Sequence, residues 1–272
     1  MMRRLAIVLL LLAASGCVTE SESVFTEEAS PEKALDRRLT LARQYIGRGN
    51  YEDAKRNLRA AVEIDDGNAE VYEAFALVYQ STGEFELAEE SYQRAIRLDR
   101  NFSRARNNYA TFLYGRGRYG EAEEQLELVV KDTLYSARAQ AFLNLGLARL
   151  QLSDNSGAEE ALVRTLAMQN GNPIALLELA RLRLEAGDRR DASNYYDRYR
   201  RAVRQQSARG LWLGVRLARA TGDADAESSY ALALRSLYPD SAEYEAYRQS
   251  QAPAGSTVVS DDGETVKLRP KE

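Results

Sequence analysis

Small, large and aromatic side chains return along the chain in a fixed rhythm. Alanines stand at Ala54, Ala88, Ala122, Ala158, Ala192 and Ala226, spaced 34, 34, 36, 34 and 34 residues apart. Twelve residues before each lies a second small residue: Ala42, Ala76, Ala110, Gly146, Ala180 or Gly214. Four residues after each lies a large one: Leu58, Tyr92, Leu126, Leu162, Tyr196 or Tyr230. In the first three units a glycine (Gly49, Gly83, Gly117) and then an aromatic ring (Tyr51, Phe85, Tyr119) come just ahead of the alanine. Glycine closes one helix in the left-handed conformation that a side chain resists, and the aromatic packs where the next helix begins. Each unit therefore predicts a helical hairpin. Its small residues let the paired helices approach and its large ones fill the groove between them.

Self-similarity at this period marks a stack of supersecondary units, each of which hides its apolar face against the next. The pattern resembles the tetratricopeptide repeat, in six copies at 35–68, 69–102, 103–136, 139–172, 173–206 and 207–240. The resemblance implies an all-α, right-handed superhelical solenoid of six tetratricopeptide repeats, spanning residues 35–250. Two extra residues fall near Asp132-Thr133-Leu134-Tyr135-Ser136, which predicts a longer turn between the third and fourth units. Asp66, Arg100 and Asp132 stand where the family places a helix-stopping proline, and polar residues stop a helix there as well.

The N-terminus follows a different pattern. Arg3 and Arg4 precede an apolar run, Leu5 to Ala14, that is too short to span a bilayer and reads as a signal-peptide core over 1–16. Ala14-Ser15-Gly16-Cys17 follows, which resembles the lipobox of bacterial lipoproteins, and Cys17 is the single cysteine. That resemblance implies no diffusible cofactor, only a covalent diacylglycerol and an N-acyl chain on Cys17. Buried acyl chains contribute about 0.8 kcal/mol per methylene, so two or three hold a domain at a membrane. No aspartate follows Cys17, and by the known sorting rules Val18-Thr19-Glu20 sends such a protein, through the lipoprotein sorting machinery, to the outer membrane facing the periplasm. Residues 17–34 are polar and acidic and read as a flexible tether. Residues 251–272, with Ala252-Pro253-Ala254-Gly255-Ser256 and charges beyond, are expected to form a disordered tail.

Composition narrows the chemistry. The chain has no histidine, so a serine-histidine triad is excluded and the commonest zinc ligands are missing. With 1–16 removed, 35 basic residues face 41 acidic ones, a net charge of −6, which leaves nucleic-acid binding without an electrostatic basis. The interleaved charges read as a salt-bridged outer face. Glu89-Glu90, Glu123-Glu124 and Glu159-Glu160 fall at the start of second helices, where the dipole favours acids. Asp65-Asp66-Gly67-Asn68 lacks the alternating ligands of a calcium loop and reads as a turn. Tyr51, Tyr92, Tyr119, Tyr196 and Tyr230 sit at packing positions, and Trp212 is expected to pack on the preceding repeat. No catalytic or metal site is expected, and the chain does not read as an enzyme.

In repeats of this class the first helix of each hairpin lines the binding groove. Counting from the unit starts, its positions are Leu39, Arg43 and Ile46, then Glu73, Leu77 and Gln80, then Asn107, Thr111 and Tyr114. These residues either bury an extended or helical peptide of a partner or contact neighbouring helices.

Asn107-Asn108-Tyr109-Ala110-Thr111-Phe112-Leu113, Asp132-Thr133-Leu134-Tyr135, the stretch Leu211-Trp212-Leu213-Gly214-Val215-Arg216-Leu217-Ala218-Arg219-Ala220-Thr221-Gly222-Asp223, and Tyr238-Pro239-Asp240-Ser241 narrow the resemblance. Together, from about Leu35 to Tyr247, they resemble the type IV pilus biogenesis/stability lipoproteins of the PilW/PilF type. Thr133 and Ser136 replace prolines common there, and Tyr114 a cysteine. The resemblance implies a pilotin: an outer-membrane lipoprotein that binds pilus secretin subunits, carries them to the outer membrane and promotes their multimerisation. The rival reading is a periplasmic lipoprotein scaffold for cell-wall synthases or hydrolases.

Overall fold

The computed structural model describes residues 30–251 and the backbone of 257–259 and 265–267. The expectations for the signal peptide, Cys17 and most of the tether concern residues outside the described ones. Thirteen helices run through the described residues: α1 (Pro31–Gly47), α2 (Tyr51–Ile64), α3 (Ala69–Thr82), α4 (Phe85–Leu98), α5 (Ser103–Gly115), α6 (Tyr119–Val129), α7 (Arg138–Gln151), α8 (Asn155–Met168), α9 (Pro173–Glu185), α10 (Arg189–Ala202), α11 (Ala208–Thr221), α12 (Ala224–Leu237) and α13 (Ala242–Gln251). The tetratricopeptide reading of the repeats is borne out helix by helix. One boundary moves, because Ser30 caps the Lys33 amide (3.3 Å) and Pro31 is preset for a first turn, so helix begins inside the stretch assigned to the tether.

Local chemistry sets the helix ends. Gly49, Gly83 and Gly117 hold φ between 72° and 81°, as their spacing predicts. In the fourth repeat the same turn is made by Ser153, at φ 63°, which carries a Cβ in a conformation that disfavours one. Asn50, Asp154, Asp188 and Asp223 follow these turns and cap the second helices, as in the Asp154 carboxylate accepting from the Gly157 amide at 2.9 Å. Asp65 and Asn68 make the turn expected of them, Asn68 capping α3 through the Glu70 and Val71 amides.

The chain divides into two compact units between Ser91 and Tyr92. In the first, α1 packs on α2 and α3, and α2 on α3. Its core joins Leu39, Ala42, Ala54, Leu58, Val71, Phe75 and Val78. In the second, α5 pairs with α6, α7 with α8, α9 with α10 and α11 with α12; each hairpin packs on the next, and α13 covers α11 and α12. Tyr92 is fully buried there against Tyr109 and Phe112, with centroids 5.6 and 5.8 Å away. Leu162, Leu176, Leu179, Tyr196 and Leu213 belong to a further cluster.

The recurring small residues do what the spacing implies. A Cβ on Gly146 would meet Leu162 at 2.9 Å, and one on Gly214 would meet the Tyr196 hydroxyl at 2.2 Å. After α13, β1 (Thr257–Val259) pairs antiparallel with β2 (Thr265–Lys267), Val258 opposite Val266. This departs from a structureless tail at six positions, five of them Val or Thr; the other tail residues lie outside the described ones.

Candidate partner-binding site

The groove positions of the first unit fall into two groups. Leu39 (6% exposed) and Glu73 (2%) are buried between helices and offer almost no surface. Ile46, Leu77 and Gln80 are half-buried and Arg43 is exposed. Arg43 bridges α1 and α3, pairing with Glu70 and lying 3.8 Å from Glu73. The buried carboxylate of Glu73 is thereby compensated, and the guanidinium is engaged before any partner arrives.

In the second unit Asn107 is buried (8% exposed) and accepts from Asn144 Nδ2 at 3.2 Å. Thr111 is exposed and also lies within reach of Asn144 Nδ2, at 3.4 Å, while its own hydroxyl donates to the Asn107 carbonyl. Tyr114 is half-buried, edge-on to Tyr119 with centroids 5.1 Å apart. Thr111, Tyr114, Asn144 and Leu147 line a small cavity of about 50 Å³. So Leu39, Glu73 and Asn107 belong to packing between helices, and the surface within each unit comes from the other six positions.

A feature absent from the sequence reading lies between α9 and α11. Leu177, Glu178, Arg181, Arg209, Trp212, Leu213 and Arg216 line a crevice of about 110 Å³, and Glu243 reaches it from α13. Glu178 is 2% exposed and accepts from Arg181 Nε at 2.9 Å and Arg209 Nη2 at 2.5 Å. Glu185 accepts from Arg181 Nη1 at 2.7 Å and Arg216 Nη2 at 3.4 Å. Trp212 lines the crevice together with Leu177, Glu178 and Arg181 of the preceding repeat, and its ring partner is Tyr247 of α13, edge-on at 6.4 Å, with the Arg219 guanidinium 5.9 Å from the indole. The signal that could have located the crevice is the run Arg209, Trp212, Leu213, Arg216, which shares one face of α11 at i, i+3, i+4 and i+7.

Elsewhere the charges are structural. Arg149 pairs with Glu123 and Glu127, each at 2.7 Å, Arg183 with Glu159, and Arg219 with Glu227 at 2.6 Å. The acids expected to answer a helix dipole thus also tie second helices to neighbouring first helices. Tyr196 is held protonated by burial, with Tyr230 alongside adding to the upward shift of its pKa. Among the described residues no group of three His, Cys, Asp or Glu is placed to hold a metal, and no helix is long and apolar enough to cross a membrane.

Comparison with known proteins agrees with this architecture. Residues 39–101, 73–137 and 113–173 match one tetratricopeptide-repeat family and residues 149–211 another. The type IV pilus assembly protein PilF of Pseudomonas aeruginosa is 37% identical over 247 residues, covering 90% of this chain and 98% of that protein. A solved structure of Pseudomonas aeruginosa PilF superposes with a TM-score of 0.76 at 38% identity, over 81% of this chain and 99% of the other. PilW, described as a widely conserved type IV pilus biogenesis factor, gives 0.68 at 29% identity, over 79% and 99%.

Proposed function

The chain belongs to the tetratricopeptide-repeat family and, within it, to the PilF group of type IV pilus assembly proteins, and from that premise we propose that it is the pilotin of a type IV pilus secretin. Its role in type IV pilus biogenesis is that of an assembly factor and not an enzyme. The finer reading has three parts. Cys17 carries the acyl chains, the lipid holds the repeats at the periplasmic face of the outer membrane, and the repeats bind secretin subunits and promote their multimerisation there.

The observation that carries the reading is the end-to-end match: nearly all of PilF is covered at 37% identity, so the whole repeat array and not one borrowed hairpin is shared. The physics suits the task. Preformed helical hairpins present a surface with little ordering cost, so binding loses less free energy to conformational entropy than a disordered partner would. The acyl chains add a membrane address without a new protein contact. No step requires bond making or breaking.

The test is an immunoblot of separated inner and outer membranes from a deletion strain, probed for the heat-resistant secretin multimer. The expected result is loss of the multimer, or secretin left as monomer or in the inner membrane. Normal outer-membrane multimers would refute the pilotin reading. Complementation with Cys17→Ala is expected to leave the protein off the outer membrane and secretin assembly impaired; a variant still anchored there would refute the lipid anchor.

A further inference from the structure

We infer that the crevice between α9 and α11 receives a single acidic side chain of a protein partner, presented beside an apolar residue. Its volume, about 110 Å³, holds one side chain, whereas pockets for small organic ligands run to about 300–1,000 Å³. Its lining is mixed: Leu177 and Leu213 are buried (9% and 4% exposed) with the indole of Trp212 beside them, and the Glu178 carboxylate is buried among them. Arg209 and Arg216 also line it, seven residues apart on α11 and so about 10 Å apart along the helix axis.

These guanidiniums are oriented but not saturated. Among the described residues Arg209 makes one hydrogen bond, to buried Glu178, and its side chain stays 60% exposed. Arg216 makes one, at 3.4 Å, to Glu185. A guanidinium carries five N–H donors in a fixed fork that matches a carboxylate, so both retain donors for an incoming acid. The hydrogen bond to Glu178 holds Arg209, which lowers the cost of ordering that side chain on binding. The lining holds three arginines, Arg181, Arg209 and Arg216, against two carboxylates, Glu178 and Glu243, a surplus of one positive charge. That favours one acid flanked by apolar groups over a run of acids. The inference depends on the pilotin reading only for which protein supplies the segment.

Trp212 is the only tryptophan in the chain, so tryptophan emission has one source, and it lines the crevice. The probe is the peptide acetyl-Ala-Leu-Glu-Leu-Ala-amide, titrated into the full chain in detergent, with the Gln-containing peptide as the comparison. The Glu peptide is expected to shift Trp212 emission saturably and to weaken as salt screens the charges. Arg216→Gln is expected to weaken binding about tenfold, the loss of one charge-assisted contact, with the circular dichroism unchanged. Arg209→Gln should do the same, and Arg216→Gln keeps the test open if loosening Glu178 perturbs the fold.

No response to the Glu peptide, or an equal response to the Gln peptide, would overturn the inference. So would an emission change in Asp261→Asn/Asp262→Asn/Glu264→Gln without peptide, which would assign the crevice to the chain's own tail. Emission that depends on protein concentration would assign it to a second copy. The readout involves no secretin. Failure here leaves the pilotin reading standing, and normal secretin multimers in the deletion strain would leave this site standing with another partner.

Discussion

Gly214 is the position where the close approach between repeats can be measured most directly. A Cβ placed on it would lie 2.2 Å from the Tyr196 hydroxyl, 3.0 Å from Tyr196 Cζ and 3.0 Å from Tyr230 Cδ2. Although Tyr196 and Gly214 also line an open cavity of about 190 Å³, Tyr196 is held on several sides. It is 2% exposed, packs against Tyr199 and Tyr230 with centroids 6.0 and 5.8 Å away, and its hydroxyl lies 2.6 Å from Gln206 Oε1 and 3.0 Å from the Gly210 carbonyl. Forcing one extra methyl into such a contact costs about 1–3 kcal/mol, and displacing the hydroxyl forfeits about 1 kcal/mol of hydrogen bonding. Replacing a mid-helix glycine by alanine returns about 1 kcal/mol of helix propensity. Gly214→Ala is therefore expected to destabilise the last repeats by about 1–3 kcal/mol. The assay is equilibrium urea unfolding followed by Trp212, which reports the affected repeats separately from those farther away. Gly115→Ala, followed by circular dichroism because it lies outside the repeats that Trp212 reports, is the control: nothing lies within 4 Å of its added Cβ, so only the propensity gain applies. In the double variant Gly214→Ala/Tyr196→Phe the 2.2 Å contact is gone, and the two losses should sum to less than their separate values. A Gly214→Ala protein as stable as wild type or more so would refute the argument that Tyr196 fixes the helix spacing.

Ser153→Gly is expected to stabilise the fourth repeat by about 1 kcal/mol, because φ 63° is strained for a side chain and free for glycine; a lowered thermal midpoint would contradict this. The Asp132 carboxylate has its pKa lowered, first by the Ser103 hydroxyl and then by the Leu134 amide, at 2.6 and 3.0 Å. The stability it contributes is present above its unfolded value, near 3.8, and is lost as pH falls through the lower folded value. The amide resonance of Leu134 should accordingly hold its position through neutral and mildly acidic pH and move only below that value, and a midpoint above it would overturn the assignment. Leu77→Asp, at a half-buried groove position, is expected to reduce secretin multimers at least severalfold with helicity retained; unchanged multimers in a folded variant would remove that position from the contact.

Most of the architecture was legible because the repeat signal comes from several constraints at once. Glycine at 49, 83 and 117 is dictated by a positive φ, and the small residues at 146 and 214 by a facing side chain. Ser153 was not legible as the fourth such turn, because a serine in left-handed conformation leaves no composition signal. The start of α1 was missed because an acidic, polar stretch masks a serine cap followed by proline. The second neighbour of Trp212 was not legible for a related reason: α13 lacks the repeat signature, so nothing in the spacing announced that Tyr247 would meet the indole. The crevice beside it depends on Glu178, whose burial follows from two arginines on different helices and not from any local pattern.

Register explains which groove positions remain available to a partner. Leu39, Glu73, Asn107, Leu143, Leu177 and Leu211 all stand fifteen residues before a repeat alanine. All six are buried, whether apolar or polar. The backbone position decides that burial, and a polar residue there must bring its own compensation, as Glu73 does with Arg43 and Asn107 with Asn144. Eleven residues before the alanine stand Arg43, Leu77, Thr111, Leu147, Arg181 and Val215, and fourteen before stand Asn144, Glu178 and Trp212. Thr111, Leu147 and Asn144 line the small cavity of the second unit, and Arg181, Glu178 and Trp212 line its crevice. Substitutions in the first register should therefore change stability, and substitutions at exposed members of the other two should change binding with the fold intact. Partner selectivity can then vary repeat by repeat along the chain without disturbing the spacing that holds the helices together.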